Sequence, residues 1–222
     1  MKLKNLLAAS FLIAPALANA QGIESVIEPV DGGRVPVYFH LGSLGGVSQT
    51  GFGFGYKLSN QSEINFSYQF GNIDLKNRVT TDRNIEVTDA ELNAAQIKVF
   101  SRHYPWEGVF NVIAGLGFRT IETKIGVIDT SDISGISGKT ESNAITANIG
   151  ISSIWKFDSG LRIGADWLEA SMPLSSEGSS SFASTGNLGL GEQDAKNSFV
   201  DLANKLADDT LLEVKAHIGY EF

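Results

Sequence analysis

Thr210-Leu-Leu-Glu-Val-Lys-Ala-His-Ile-Gly-Tyr-Glu-Phe222 is the stretch of sequence that decides the fold. From Leu212 onward every second residue is apolar or aromatic, and the residues between them are charged, histidine or glycine. A period of two predicts a β-strand with one apolar and one ionic face. The alternation covers about eleven residues, the length that a tilted transmembrane strand needs. Tyr220 and Phe222 occupy the positions where a membrane barrel carries its interfacial aromatic residues.

The first twenty residues have the pattern of a secretory signal peptide. Lys2 and Lys4 precede the apolar run Leu6–Leu17 and then Ala18-Asn-Ala20, a small-residue cleavage site. We expect cleavage after residue 20 and a periplasmic leader over residues 21–33. Removing the two lysines takes the formal charge of the chain from −8 to −10. We expect no nucleic-acid partner for so acidic a chain.

Cysteine and long apolar runs are both missing from the remaining sequence. Without cysteine, disulfides, thiol catalysis and thiolate metal sites are excluded, and we expect no cofactor. No apolar run after the signal peptide approaches the roughly eighteen residues that a membrane helix needs. About 200 residues suit one domain. A soluble β protein and a transmembrane β-barrel are the two classes that remain.

Seven further segments alternate in the same way as the terminal one. The predicted strands lie at 35–42, 51–58, 64–71, 93–102, 110–119, 145–156 and 161–167, although Phe100 breaks the pattern of its strand. The connections at 59–62, 103–108 and 158–160 are short turns, and 43–50 is a modest one. Segments 73–91, 121–142 and 171–209 are predicted to be long polar connections. Segment 73–91 is a loop or a hairpin, and the alternative for 73–91 and 121–142 is that they extend the neighbouring strands past the membrane. Short turns on one side and long loops on the other are typical of outer-membrane barrels.

The soluble alternative is an eight-stranded barrel with an apolar interior. Its interior would have to pack roughly thirty large side chains, whereas eight strands leave room only for side chains that fill the middle. The polar faces carry glycines such as Gly53, Gly55, Gly115 and Gly117, which suit a crowded lumen. We therefore predict an all-β fold, an eight-stranded antiparallel transmembrane β-barrel over residues 34–222, with its apolar faces towards lipid.

With these features the chain resembles the small outer-membrane barrels of the OmpA membrane domain, OmpX and OmpW type. The resemblance is one of pattern and includes the terminal strand that ends His217-Ile-Gly-Tyr-Glu-Phe222. It implies a location in the outer membrane of a Gram-negative cell, in contact with outer-membrane lipids and lipopolysaccharide. It also implies that Ile218, Tyr220 and Phe222 form the signal that the outer-membrane assembly machinery reads.

Charged residues fall on the inward faces of most predicted strands. The predicted lumen charge network consists of Lys57, Lys98, Arg102, Arg119, Lys156, Arg162, Asp166, Glu213, Lys215, His217 and Glu221. Charges in so narrow a lumen have to be paired or hydrated. We therefore expect a polar, largely occluded lumen and a structural or surface-interaction role. The alternative, which the resemblance to OmpW implies, is a narrow channel for small or apolar solutes.

A lipid A-modifying enzyme is a second alternative. A lipid-facing Ser-His-acid set needs its three side chains within hydrogen-bond reach of one another. His40 and His217 face inward in the predicted register, and Ser101 to His103 lie at a periplasmic turn. We therefore predict no catalytic residue and no enzyme.

The carboxylates of the predicted extracellular loops have two interpretations, a divalent-cation site or side chains that are simply solvated. The candidate ligands are Asp89, Glu122, Asp129 and Asp132. They lack the Asp-x-Asp-x-Asp-Gly spacing of a calcium loop, so no metal site is predicted.

The end of the last long loop has a helical pattern. After the serine-rich segment 175–184, which we expect to be flexible, Phe199, Leu202, Ala203 and Leu206 recur at helical spacing. They predict one amphipathic helix of about four turns within residues 191–209. Its polar face is acidic, unlike that of most membrane-surface helices. We expect it to pack on the mouth of the barrel, and a partner-binding helix is the alternative.

Overall fold

The computed structural model describes residues 34–74, 85–106, 108–129, 134–185, 197, 201, 205 and 208–222. These residues contain eight strands. They are β1 (Pro36–Leu44), β2 (Val47–Ser59), β3 (Ser62–Asp74), β4 (Ile85–His103), β5 (Phe110–Asp129), β6 (Ser134–Lys156), β7 (Leu161–Thr185) and β8 (Leu211–Glu221). In the described part of the chain, no helix has the length and apolar character needed to span a membrane.

The eight strands form one closed antiparallel barrel. Each strand pairs with its neighbours along the chain, and β1 also pairs with β8, where Phe39 lies opposite Ile218. Val35 and Phe222 exchange backbone hydrogen bonds beside this seam, with N···O distances of 3.3 and 3.2 Å. Closure removes the free sheet edges that would otherwise pair with other chains. The predicted eight-stranded barrel is therefore confirmed.

Apolar side chains face outward along the barrel, and polar side chains face inward. Phe39, Phe52 and Ile149 are 48%, 53% and 52% exposed, whereas Arg102 is 1% exposed and Asp166 is fully buried. An apolar exterior of this kind is stable in hydrocarbon and would be costly in water. The outer wall therefore carries an apolar band that lies in lipid, as predicted.

Aromatic side chains are paired across neighbouring strands of this band. Phe54 and Phe66 stack with ring centroids 5.2 Å apart, and the Phe52 and Tyr68 centroids are 5.8 Å apart. Cross-strand aromatic pairs of this kind contribute up to about 1 kcal/mol each to sheet stability. They also fix the register that keeps the apolar residues on the lipid side.

The connection predicted at residues 43–50 is shorter than expected. β1 ends at Leu44 and β2 begins at Val47, so only two residues form the turn. Gly45 and Gly46 have φ values of 56° and 91°. Two-residue hairpins favour positive φ at both central positions, and glycine adopts it without a Cβ penalty.

Strands extend into all three segments that were predicted as long polar loops, and for 73–91 and 121–142 the alternative of extended neighbouring strands is the correct one. β4 begins at Ile85 inside the segment 73–91, and β5 and β6 occupy most of 121–142. β7 continues to Thr185 and includes the serine-rich segment that was expected to be flexible. Beyond the apolar band both faces of a strand meet water, so the apolar-polar contrast ends. Backbone hydrogen bonds nevertheless continue the ladder.

Three predicted segments lie outside the described residues. They are the signal peptide (1–20), the leader (21–33) and the apolar face of the helix, which contains Phe199, Leu202, Ala203 and Leu206. Four described residues in the same segment of the sequence, Asn197, Asp201, Lys205 and Asp208, have helical backbone and are exposed.

Candidate functional site

A network of ten charged side chains crosses the lumen. Its cations are Lys57, Lys98, Arg102, Arg162 and Lys215, and its carboxylates are Glu63, Asp166, Glu169, Glu213 and Glu221. None of these side chains is more than 11% exposed. Five positive charges therefore meet five negative charges where water has little access.

The periplasmic part of the lumen charge network joins four strands. Glu221 accepts from Lys57 Nζ at 2.9 Å, and Arg162 Nη1 lies 3.4 Å from its second oxygen. Arg162 Nη2 lies 3.0 and 2.9 Å from the two Glu63 oxygens. Arg34, which is 61% exposed, lies 3.5 Å from Glu221 at the rim. These pairs connect β2, β3, β7 and β8 at this end of the barrel.

Asp166 is the centre of the network. Arg102 binds it with both terminal nitrogens, at 2.8 and 3.1 Å, in the bidentate geometry that makes Arg-carboxylate pairs strong. Lys215 Nζ lies 3.1 Å and His217 Nε2 lies 3.5 Å from the same carboxylate. Arg102 also reaches Glu63 at 3.8 Å, which links the centre to the periplasmic part.

Two lysines and two glutamates form a ring of alternating charge above Asp166. Lys98 Nζ lies 2.7 Å from Glu169 and 2.6 Å from Glu213. Lys215 Nζ lies 2.9 Å from Glu169 and 3.0 Å from Glu213. Each ammonium group therefore contacts both carboxylates, and each carboxylate contacts both ammonium groups.

An aromatic side chain sits among these charges. The Phe100 ring centroid lies 5.2 Å from the Arg102 guanidinium carbon and 5.8 Å from Nζ of both Lys98 and Lys215. Such contacts are favourable because the ring face is electronegative. Phe100 also packs in a buried cluster with Tyr38 and Ile113. The break in the alternation at Phe100 therefore reflects a ring that fills the lumen.

Glycines make room for the rings inside the lumen. A Cβ atom on Gly53 would lie 2.5 Å from carbon atoms of the Tyr38 ring. On Gly115 it would collide with Phe100, and on Gly164 it would collide with the His217 ring. The glycine-rich inner faces are therefore a packing requirement of a narrow barrel.

Two predicted network members lie at the ends of the lumen. Arg119 is 1% exposed and donates to the Asp209 carbonyl oxygen at 2.9 Å. Lys156 is exposed, and its Nζ lies 4.0 Å from the centroid of the Tyr104 ring at the periplasmic end. The structure thus places Lys156 over an aromatic ring at the rim and not among the buried ion pairs, which differs from the sequence prediction.

Glu63 and Glu169 are network members that the sequence prediction omitted. Glu63 lies two residues before the inward-facing Asn65 and therefore faces the same side of β3. A predicted strand that began one residue earlier, at position 63, would have included it. Glu169 has the opposite parity to Asp166. The β7–β8 register shifts between these two residues, and such a β-bulge turns both side chains to the same face. Alternation alone gives no signal for a bulge.

One row of polar, uncharged residues crosses the inner face of β1 to β4, and we call it the neutral wall. His40, Gly51, Gln69 and Gln96 lie in register across these four strands. Buried polar atoms of His40, Gln69 and Gln96 have no hydrogen-bond partner among the described residues. Buried polar groups normally bond to protein or to ordered water. The neutral wall can therefore hydrogen-bond to water or to a small solute.

An apolar collar lies inside the extracellular end of the lumen. Its buried members are Val47, Ala94 and Ile121. Partly buried Ile73, Leu92 and Leu211 pack against them. The collar follows the neutral amides towards the cell exterior, above the charge network.

His40 and His217 lie on the inner wall, as predicted, whereas His103 ends strand β4 and does not lie in the predicted turn. His40 and His217 are 1% and 7% exposed and pair across the β1–β8 seam. His103 Nδ1 lies 3.0 Å from the Ser62 hydroxyl at the exposed periplasmic end. The His40 and His217 rings therefore face the lumen and not the apolar band.

The outer wall carries a smaller charged group above the apolar band, which we call the outer cluster (Glu91, Glu122, Glu141, Lys124 and Lys139). Lys139 and Lys124 lie 2.6 and 3.3 Å from Glu122. Glu141 lies 4.0 Å from Lys139, and Glu91 lies 3.9 Å from Lys124. The hydrogen bond from Lys139 lowers the pKa of Glu122, and the same bond raises the pKa of Lys139.

Among the described residues, no group of three or more histidines and carboxylates is placed to hold a metal ion. Of the four candidate ligands, Glu122 is held by two lysines. Asp132 lies outside the described residues.

Comparison with known proteins identifies the fold. No protein-family model and no curated protein matches the sequence. The crystal structure of a major outer membrane protein from Thermus thermophilus is 14% identical and matches 86% of this chain and 100% of its own, with a TM-score of 0.53. Acinetobacter baumannii CarO2 is 16% identical and matches 85% of this chain and 98% of its own, with a TM-score of 0.52. At sequence identities of 14% and 16%, the structural similarity shows a shared fold.

The fold and the outer wall together give the location of the protein. A closed eight-stranded barrel with an apolar exterior and a charged interior is built to lie in a membrane. The chain has the fold of the small eight-stranded outer-membrane β-barrels, and its apolar band places it in the cell outer membrane.

Proposed function

We propose that this protein is an outer-membrane barrel with a structural or surface-interaction role and a lumen closed to ions. The observation that carries the proposal is the lumen charge network. Its members contact one another from Lys57 at the periplasmic end to Lys98 near mid-lumen. An ion crossing the lumen would have to separate these pairs.

The cost of separation supports a closed lumen. Breaking a buried ion pair by removing one partner typically costs about 3–5 kcal/mol, because the other charge stays buried. Asp166 alone has Arg102, Lys215 and His217 around it, so no single displacement frees a path. The Tyr38, Phe100 and Ile113 cluster fills space beside it.

The extended strands support the surface role. β5, β6 and β7 continue as paired strands well beyond the apolar band. β5 ends at Asp129, β6 begins at Ser134 and β7 ends at Thr185. In this region β7 is serine-rich and exposed on both faces. A long polar sheet outside the membrane offers backbone and hydroxyl groups to a partner.

The terminal strand is proposed to engage the outer-membrane assembly machinery. Ile218, Tyr220 and Phe222 are 53%, 45% and 74% exposed on the outer wall of β8 and just after it. The Tyr220 and Phe222 ring centroids lie 4.9 Å apart. These side chains therefore form a continuous apolar edge beside the seam where the barrel closes.

Single-channel recording in planar bilayers tests the closed lumen. The purified wild-type protein should show no discrete conductance, because each lumen charge has a partner. A variant with Lys98→Ala, Phe100→Ala and Lys215→Ala should conduct, because it removes the ring of alternating charge and the central aromatic ring. Lys124→Ala, in the outer cluster, is the matched control and should stay silent. Stable openings by the wild-type protein would contradict the proposal.

A narrow channel for small uncharged solutes is the second candidate. The neutral wall favours it, because His40, Gln69 and Gln96 present buried hydrogen-bonding atoms without a protein partner among the described residues. Proteoliposome swelling in glycerol measures such passage. Swelling above that of empty liposomes, in a preparation that shows no ion conductance, would support this candidate.

A further inference from the structure

Four buried polar side chains on β1 to β4 form a group below the apolar collar. They are His40, Gln69 and Gln96 of the neutral wall and Gln49, the next inward residue of β2. Each is at most 5% exposed. Both His40 ring nitrogens, both Gln49 amide atoms, Gln69 Nε2 and Gln96 Oε1 have no hydrogen-bond partner among the described residues. We call these four side chains the neutral cluster.

A glycine lets the members of the neutral cluster approach one another. Gly51 lies between His40 and Gln69 in the row that crosses β1 to β3. His40 Nε2 lies 2.5 Å from the position that a Cβ atom of Gly51 would take, so the ring leans from β1 across β2 towards β3. Gln49 is a diagonal neighbour of Gln69 on the same face, within reach of a long side chain. His40, Gln49 and Gln69 therefore point into one space.

The neutral cluster has hydrogen-bonding capacity that the protein itself does not use. Buried polar atoms without a partner are costly, and native proteins satisfy nearly all of them with protein, ordered water or a ligand. Six such atoms belong to the neutral cluster. The ring of alternating charge differs, because each of its ammonium groups contacts two carboxylates. The capacity to bind a further molecule therefore lies on the uncharged side of the lumen.

The neutral cluster offers donors and acceptors together and carries no charge. The side-chain nitrogens of Gln49 and Gln69 donate, whereas the side-chain oxygens of Gln49 and Gln96 accept. A neutral His40 ring supplies one donor and one acceptor. A hydroxyl group also does both, so a molecule with several hydroxyl groups matches this mixture. A charged solute would lack a counterion, because the nearby ring of two lysines and two glutamates is already neutral.

We propose that the neutral cluster binds one small uncharged polyol of the size of glycerol. The hydroxyl groups of the polyol accept from the amides of Gln49 and Gln69, donate to Gln96 Oε1 and share a hydrogen bond with His40. Its C–H groups lie against the apolar collar. This inference rests on the second candidate function, since both start from the neutral wall, and it adds the solute class and the binding site.

The surroundings of the neutral cluster indicate from which end the polyol enters. On the periplasmic side, Tyr38, Phe100 and Ile113 pack in a buried cluster, and the Tyr38 ring lies against Gly53. On the extracellular side the apolar collar carries no charge, so an uncharged solute passes it at a lower desolvation cost than an ion. We therefore expect the polyol to enter and leave at the extracellular end, and binding does not require passage through the barrel.

Saturation-transfer NMR tests the site, with the full chain in lipid nanodiscs and glycerol as the probe. Irradiation of the wild-type protein should transfer saturation to the C–H protons of glycerol. Gln49→Leu with Gln69→Leu removes two donors and should raise the Kd for glycerol about thirtyfold, the effect of two neutral hydrogen bonds. Asn72→Leu with Asn93→Leu, which changes two outward amides of β3 and β4, is the matched control and should bind glycerol like the wild type.

Two further probes test the chemistry of the site. 1-Propanol, which has a single hydroxyl group, and glycerol 3-phosphate, which is charged, should each receive less saturation than glycerol. No transfer to glycerol would show that the neutral cluster holds water only and would overturn the proposal. Equal transfer to 1-propanol and glycerol, or equal losses in the two double variants, would overturn it as well.

The remaining controls separate binding from folding and from passage. Gel migration of unheated samples confirms that each variant is folded. Gln69→Leu alone should raise the Kd about fivefold, the effect of one neutral hydrogen bond, and serves if the double variant does not fold. Proteoliposome swelling in glycerol measures passage separately. Binding without swelling supports the site and rejects the channel, whereas swelling without binding at the neutral cluster rejects the site alone.

Discussion

Asp166 and Glu169 both point into the lumen and both bind Lys215, at 3.1 and 2.9 Å, although they are three residues apart in one strand. Regular alternation would send one of them into lipid. The register shift between them on β7 brings both to the same side. A single bulge thus supplies the carboxylates that Lys215 needs in a region without water.

Removal of Lys215 should therefore destabilise the barrel strongly. Lys215→Met leaves Asp166, Glu169 and Glu213 one cation short, and we expect a loss of about 3–5 kcal/mol in the free energy of unfolding. Urea unfolding in lipid vesicles, followed by gel migration, measures it. Lys124→Met, whose side chain is 41% exposed, should cost at most about 1 kcal/mol. Equal losses in the two variants would contradict the account.

The Arg162–Glu63 pair should show strong coupling in a double-mutant cycle. Arg162→Met and Glu63→Gln each remove the nearest ionic partner of a buried charge, because both side chains are at most 5% exposed and lie 2.9 Å apart. The double variant should be more stable than the sum of the two losses by about 1–3 kcal/mol. Additive losses would show that these residues do not interact in the folded barrel.

A methyl group on Gly53 should be poorly tolerated. The added Cβ would lie 2.5 Å from the Tyr38 ring, and relief of that overlap should cost Gly53→Ala about 1–3 kcal/mol of stability. Gly108→Ala is the control, because no atom lies within 4 Å of its added Cβ. The midpoint of thermal unfolding in detergent compares the two variants. Indistinguishable midpoints would argue against a tightly filled lumen.

Glu122 of the outer cluster should stay ionised to a lower pH than an isolated glutamate. Lys139 lowers the pKa of Glu122, so the ion pair contributes above the ordinary value of about 4.3 and is lost as pH falls through the lower folded value. Carbon NMR of the Glu122 carboxyl follows its titration. Lys139→Met should raise its pKa towards the ordinary value, and Lys205→Met should leave it unchanged. An unaltered titration in Lys139→Met would refute the proposed pairing.

Deletion of Phe222 should impair assembly in cells more than folding in detergent. Phe222 is 74% exposed and exchanges two backbone hydrogen bonds with Val35. We propose that its main contribution is the apolar edge that it offers to the assembly machinery. Outer-membrane fractionation should show reduced protein, while refolding into detergent should proceed. Normal assembly of the deletion would rule out this role.

The sequence predicted the transmembrane part of the barrel well, for a physical reason. Lipid on one side and a packed lumen on the other force apolar and polar residues to alternate, as they do from Leu212 to Phe222. Above the band that contrast ends, so the β4–β7 extensions were predicted as loops. Their strands are held by backbone bonds, which leave no pattern in the residue types.

The lumen charge network was predicted less completely. Parity placed Asp166, Lys215 and Arg102 inside, and the structure adds their contacts. Predicting that Glu169 faces the lumen requires knowledge of the β-bulge, which no residue type indicates. Predicting that Glu63 does so requires the correct start of β3. Lys156 has inward parity but lies at the rim, where a long side chain reaches water. Parity therefore gives the face of a residue, and its depth depends on the length of the strands.

Spin-label accessibility along β6 tests the central claim, that apolar side chains face lipid and charges face a closed lumen. The chain has no cysteine, so labels on single cysteines at positions 145–149 report on one site each. Labels at 145, 147 and 149 should collide freely with oxygen dissolved in lipid and rarely with a water-soluble nickel complex. Labels at 146 and 148 should be shielded from both. The opposite alternation, or nickel access at 145, 147 and 149, would contradict the account.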